Sequence, residues 1–137
     1  MPVLLKAWIT REEVKANPHW AYVFGDNVKR QGFGGQAKAM RGEPNSIGVV
    51  TKWLPNDEKR SFFNESLQEH DALKTLVDKD LIKIEKLLLV GAVVVIPKDG
   101  LGTGLSRLPE FAPKLDLYIK TRINEFVEEY GLHPESE

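Results

Sequence analysis

The chain has 137 residues, 42% of them hydrophobic and 28% charged, which excludes a disordered, collagen-like or mucin-like chain and suits a single globular domain. Nineteen Lys and Arg against twenty Asp and Glu leave a net charge of −1, so the global charge gives no pull towards nucleic acid or an anionic membrane. Without cysteine, disulfides, thiolate nucleophiles and cysteine-based metal sites are excluded as well.

Val3 to Ile9 reads as a short apolar strand, after which Thr10 is placed to cap a helical turn that ends at Pro18. Trp20 to Phe24 is aromatic and β-rich, a second strand that runs into Gly25, Asp26 and Asn27. Gln36 to Arg41 then reads as a short helix that opens on a run of glycines and closes at Gly42, and Ser46 to Trp53 is a third strand stopped by Pro55. Between residues 64 and 90, Leu73, Leu76, Val77, Leu81, Ile84, Leu87 and Leu88 step by three and four, so the spacing predicts a helix, broken near Asp71 and stopped by Gly91. Val93 to Ile96 is an unbroken apolar run, as expected of a strand covered on both faces. Leu115, Ile119, Ile123, Phe126, Val127 and Tyr130 mark one face of a last helix with Pro113 near its start. The expected fold is a three-layer α/β/α domain over residues 1–130 with a central mixed, largely parallel sheet, followed by a flexible tail at 131–137. Met1 to Lys6 is too short an apolar run for a secretory leader, and Leu87 to Ile96 is too short for a membrane span, so a cytoplasmic setting with no membrane partner is expected.

Nine of the eleven glycines fall in two windows, Gly25 to Gly42 and Gly91 to Gly104, and the loop glycines of each follow a predicted strand. Glycine concentrated in this way marks backbone that turns sharply or approaches another group closely. Gly32 to Ala37 satisfies the dinucleotide fingerprint only formally, because five residues separate Asp26 from Gly32 and no acidic strand end follows. Gly100 to Gly104 lacks the Lys-Ser or Lys-Thr of a Walker loop. What both loops offer is a run of unobstructed N–H groups, one of them at a helix start, which suits a diphosphate. Structural turns are the alternative, and for a single glycine loop they are the better reading.

Val23-Phe-Gly-Asp-Asn27 with Gly32-Phe-Gly-Gly-Gln-Ala37 resembles the first ligand loop of macrodomains, and Val94-Val-Ile-Pro97 with Gly102-Thr-Gly-Leu105 and Leu108-Pro109 resembles their second. The resemblance covers residues 20 to about 125 and implies a macro-like fold that binds ADP-ribose or a related nucleotide diphosphate. It assigns ligand binding to Gly25, Gly32, Phe33, Gly34, Gly35, Gln36, Gly100, Gly102, Thr103, Gly104, Leu105 and Ser106. Val49-Val-Thr-Lys52 is similar to the strand end of the terminal ADP-ribose protein glycohydrolase type, whose lysine attacks the distal ribose as a Schiff-base nucleophile. Lys52 is equally readable as a solvated lysine or a plain phosphate contact, and the nucleophile reading requires an environment that lowers its pKa.

Three positions depart from the family pattern. Ser106 stands where the hydrolases carry an acid, Gln36-Ala37 where other hydrolytic macrodomains carry an aspartate, and Trp8-Ile9-Thr10 where the adenine-contacting aspartate is usual. Asp26 and Asn27 are the remaining candidates for catalysis beside Lys52, with an Asx turn as the alternative for both. Arg30, Lys38, Arg41, Lys52, Lys98 and Arg107 lie in or near the same loops and predict a locally positive crevice. His19, His70 and His133 lack metal-ligand spacing, so neither a metal nor a cofactor is expected. Trp8, Trp20 and Trp53 read as core or rim packing. The functional expectation is a hydrolase of ADP-ribosyl or ADP-ribose-phosphate groups with an ADP-ribosylated protein as partner. The alternative is a non-catalytic reader of the same nucleotide, and RNA binding through the basic loops is a weaker third.

Overall fold

The computed structural model describes residues 1–137. Four strands, β1 (Val3–Lys6), β2 (Ala21–Asn27), β3 (Ser46–Lys52) and β4 (Val94–Pro97), form one sheet in the order β1-β4-β2-β3. Every pairing between these strands is parallel, so the sheet carries no antiparallel strand of the kind a mixed sheet would have. Five helices connect and flank them: α1 (Arg11–Ala16), α2 (Ala37–Met40), α3 (His70–Leu89), α4 (Leu108–Phe111) and α5 (Pro113–Tyr130).

The three layers follow from the two-residue period of the strands. Val3, Val23, Val94 and Ile96 face one way and bury against Leu73, Val77, Leu81 and Ile84 of α3 and Leu115 and Ile119 of α5. Leu4, Tyr22, Phe24 and Val95 face the other way and bury against Val14 of α1 and Ala37 and Met40 of α2. Both faces being covered, the strands read as continuous apolar runs. Each fully buried aliphatic or aromatic side chain contributes about 1.5–3 kcal/mol.

Local chemistry sets the element ends. Thr10 accepts a hydrogen bond from the Glu13 amide and caps α1 as its sequence suggests. α3 begins at His70 because Asn64 holds the preceding residues in turns, taking the Ser66 amide at 3.0 Å. Ala112 leaves helical geometry (φ −142, ψ 64) before Pro113, whose ring disfavours the helical region in its predecessor, and this separates α4 from α5. Phe62 and Phe63 are buried.

Two expectations need correction. Strand β1 stops at Lys6, and Trp8 beyond it is 78% exposed rather than packed. The C-terminal residues are docked, not loose: Leu132 bridges Val3 in parallel, His133 donates to the Val3 carbonyl at 2.7 Å and Glu137 to that of Leu5 at 2.9 Å. The outer edge of β1 would otherwise present unpaired backbone groups, and the tail supplies their partners.

Candidate functional site

Because β4, β2 and β3 are neighbours and parallel, the loops leaving their carboxyl ends emerge at one rim of the sheet. The two glycine loops meet there. A Cβ on Gly25 would lie 3.2 Å from the Gly102 amide nitrogen, and the Leu105 side chain lies against Gly34 and Gly35. Gln36 spans the gap: its Oε1 accepts from the Gly25 amide at 2.7 Å and its Nε2 donates to the Gly100 carbonyl at 3.0 Å.

The backbone amides of Gly32 through Gln36 donate to no group in the protein, and neither do those of Leu101 through Ser106. Regular structure would consume these donors, and the positive φ of Gly32, Gly35, Gly100 and Gly102 keeps both segments out of it. Two cavities flank the loops. The larger, about 580 Å³, is walled by Trp8, Ile9, Thr10, Met40 and Asp99 and reaches Gly35 and Gln36. The smaller, about 130 Å³, gathers Gly25, Asp26, Asn27, Gly32, Phe33, Gly34, Lys52, Leu105 and Ser106. The structure therefore brings together the three candidate catalytic residues and most of the candidate ligand-binding ones. Gly100, Gly102, Thr103 and Gly104 form the second loop itself and line neither cavity.

Lys52 is only 6% exposed, which removes the reading of a solvated lysine. Its Nζ donates to the Asn56 carbonyl at 2.9 Å and lies 4.6 Å from the centre of the Phe62 ring. Burial pushes its pKa below the ordinary lysine value, and the charge of Asp57 opposes that shift without cancelling it. The direction is the one a nucleophilic amine needs.

The other candidates are tied into the scaffold. Asp26 is 5% exposed and pairs with Arg41 and with Arg30, the latter at 3.3 Å. Arg41 also holds the Gly32 carbonyl at 2.5 Å and that of Gln31 at 3.2 Å, so Asp26 fixes the entry to the first glycine loop through a guanidinium. Asn27 donates to the Gln31 carbonyl at 2.8 Å and accepts from the Gln31 amide at 3.4 Å, which ties it four residues on and not across the two-residue span of an Asx turn. A register shift between β2 and β3 pairs Asp26 with Val50 and Asn27 with Lys52 and leaves Thr51 as the extra residue of β3. Thr51 donates to the Asp26 carbonyl at 3.1 Å, and a carbonyl cannot donate in return. The Thr51–Ser106 hydrogen bond must then be donated by Ser106, which leaves only lone pairs on its Oγ.

The expected positive crevice is mostly neutralised. Arg30 and Arg41 serve Asp26, and Arg107 pairs with Glu110 at 2.7 Å. Sequence reasoning also missed Asp80. Fully buried on α3, it takes Arg30 at 2.8 and 3.0 Å and the Val50 amide at 3.0 Å. Burial works against the Arg30 charge, but Asp80 and then Asp26 outweigh it and hold its pKa above the ordinary value. An acid inside the apolar stripe of α3 was the available signal.

Residues 4–122, from β1 into α5 and including both loops, match the model of a family of unknown function, DUF7831. The chain belongs to that family. Comparison with curated proteins and with solved structures gives no match. The family span takes in Trp8, Lys52, Asp80 and both glycine loops, so the whole rim lies inside it. No helix is long and apolar enough to cross a membrane, and no group of three or more His, Asp or Glu gathers to hold a metal ion.

Proposed function

We propose that the chain binds ADP-ribose or a related nucleotide diphosphate along this rim and removes ADP-ribosyl or ADP-ribose-phosphate groups from their carriers, an ADP-ribosylated protein among them. The observation that carries the reading is the pair of loops with unpaired amides, held in contact between two cavities. Such amides suit a diphosphate. The larger cavity suits a planar base, which Trp8 can stack. The smaller one suits the distal ribose, with the lone pairs of Ser106 accepting from a hydroxyl. The macrodomain-like motifs support the same assignment.

Lys52 is the nucleophile in this reading. Its neutral amine adds to C1 of the distal ribose and the bond from C1 to the carrier oxygen or nitrogen breaks with its electron pair, the leaving atom taking the proton the amine gives up. The C1–O4 ring bond then opens to an imine, which water hydrolyses to free amine and ADP-ribose. Calorimetry with ADP-ribose, AMP and a short RNA tests the ligand class: ADP-ribose binds, AMP binds more weakly and RNA does not. Failure of ADP-ribose to bind removes the proposal. Incubation with an ADP-ribosylated protein and with ADP-ribose-1″-phosphate tests turnover, and Lys52→Ala abolishes it while sparing binding.

One observation favours a non-catalytic reader instead. Asp26 is held by two arginines, Asn27 is tied to Gln31 and the Ser106 proton is committed to Thr51, so the polar neighbours of Lys52 in the smaller cavity are all engaged by the scaffold. Binding without turnover on either substrate decides for the reader.

A further inference from the structure

The two glycine loops lack any hydrogen bond to each other except through one side chain. The first loop, residues 28–36, and the second, residues 98–107, each keep most of their amides unpaired, so neither loop is fixed by a ladder of its own. The Leu105 side chain against Gly34 and Gly35 is apolar and sets no orientation. Gln36 is the one side chain of the first loop that reaches both strand β2, at the Gly25 amide, and the second loop, at the Gly100 carbonyl, whereas Thr51 of β3 ties the Asp26 carbonyl only to Ser106 near the far end of the second loop. The distances, 2.7 and 3.0 Å, are those of full hydrogen bonds. A primary amide stays neutral at all ordinary pH and supplies an acceptor and a donor from two atoms of the same plane. Gln36 directly precedes the short helix α2, so its backbone belongs to the first loop while its side chain holds the second.

We infer that Gln36 is a positioning residue, the cross-link that aligns the amides of both loops into a single diphosphate site. The inference rests on the diphosphate reading above and goes beyond it, since the loops could bind the ligand without being aligned by this residue. Affinity is then governed by loop order as much as by contact, because amides that are already aligned lose less freedom when the anion arrives.

The probe is inorganic pyrophosphate, with wild-type protein, Gln36→Leu and Gln36→Glu. Leucine keeps most of the volume and removes both hydrogen bonds, and it should weaken pyrophosphate at least about tenfold, the loss expected for two neutral hydrogen bonds. Glutamate at neutral pH keeps the acceptor for Gly25, loses the donor for Gly100 and adds a charge that repels the anion. When its carboxyl is protonated it offers one acceptor and one donor again. Pyrophosphate affinity of Gln36→Glu should therefore recover towards wild type as pH falls through the carboxylate range, about pH 4, while Gln36→Leu shows no recovery. Amide ¹H–¹⁵N spectra at neutral pH give a second reading. Pyrophosphate should shift residues 32–36 and 101–106 together in the wild type, and only one of the two groups in Gln36→Leu. Wild-type affinity in Gln36→Leu, or joint shifts of both groups in that variant, overturns the role of Gln36 and leaves the diphosphate reading intact. If the wild type itself binds no pyrophosphate, the diphosphate reading falls, and the inference with it.

Discussion

At the scale of single residues, environment decides what each side chain can do. Lys52 sits at the end of β3, a position from which a lysine commonly extends into water, yet Phe62 and the 53–62 segment cover it. Its amine is neutral over a wider pH range than that of a free lysine, so the turnover rate should rise as pH climbs through its lowered pKa. The same shift acts on stability. Between the lowered folded value and the ordinary unfolded one, the unfolded chain binds more protons, so the wild type should gain stability relative to Lys52→Met as pH rises across that window. Urea unfolding at a series of pH values measures this, and a flat difference would contradict the burial argument. Trp8 gives a second prediction at this scale. Stacking on an exposed indole contributes about 1–3 kcal/mol, so Trp8→Ala should weaken ADP-ribose by that amount and leave inorganic pyrophosphate unchanged, as read by calorimetry.

At the scale of elements, the outer edge of β3 is closed by side chains instead of a neighbouring strand. Asp80 of α3 takes the Val50 amide at 3.0 Å, and Arg30 takes the Gly48 carbonyl at 3.0 Å, so two groups of the edge that a further strand would pair are capped by an ion pair. Glycine at 48 is required by the same arrangement, since a Cβ there would lie 2.3 Å from Asp26 Oδ2. Removing one member of a buried pair leaves the other unmatched. Asp80→Ala should cost about 2–3 kcal/mol in urea unfolding, less than a wholly buried pair because the Arg30 side chain is 42% exposed. Since Arg30 also holds Asp26, the variant should loosen the first glycine loop and weaken the ligand as well. Unchanged hydrogen exchange in residues 28–36 would separate the edge from the loop.

At the scale of the whole molecule, the sheet order decides what meets. The β1-β4-β2-β3 arrangement places β2 between the strands that end in Lys52 and Pro97, so the loops after β2 and β4 become neighbours although some 70 residues separate them in sequence. The same order puts β1 at an edge, where the tail covers it. Truncation after Tyr130 removes the bonds of Val3 to Gly131 and His133 and of Leu5 to Ser136 and Glu137. It should destabilise the protein by about 2–6 kcal/mol, given net hydrogen-bond contributions of ~0.5–1.5 kcal/mol each, and equilibrium unfolding of the shortened chain checks it.

The sequence by itself determined the alternation of strands and helices, the two-sided burial of β4, the cap at Thr10 and the placing of both glycine loops after strands. These are local properties: periodicity, propensity and capping act over a few residues. The burial of Lys52, the two arginines on Asp26, the donor direction fixed at Ser106, the exposure of Trp8 and the docking of the tail were decided only by tertiary structure. Each depends on a partner distant in sequence, and whether a polar group is solvated, paired or buried is settled by those partners, which local pattern does not specify.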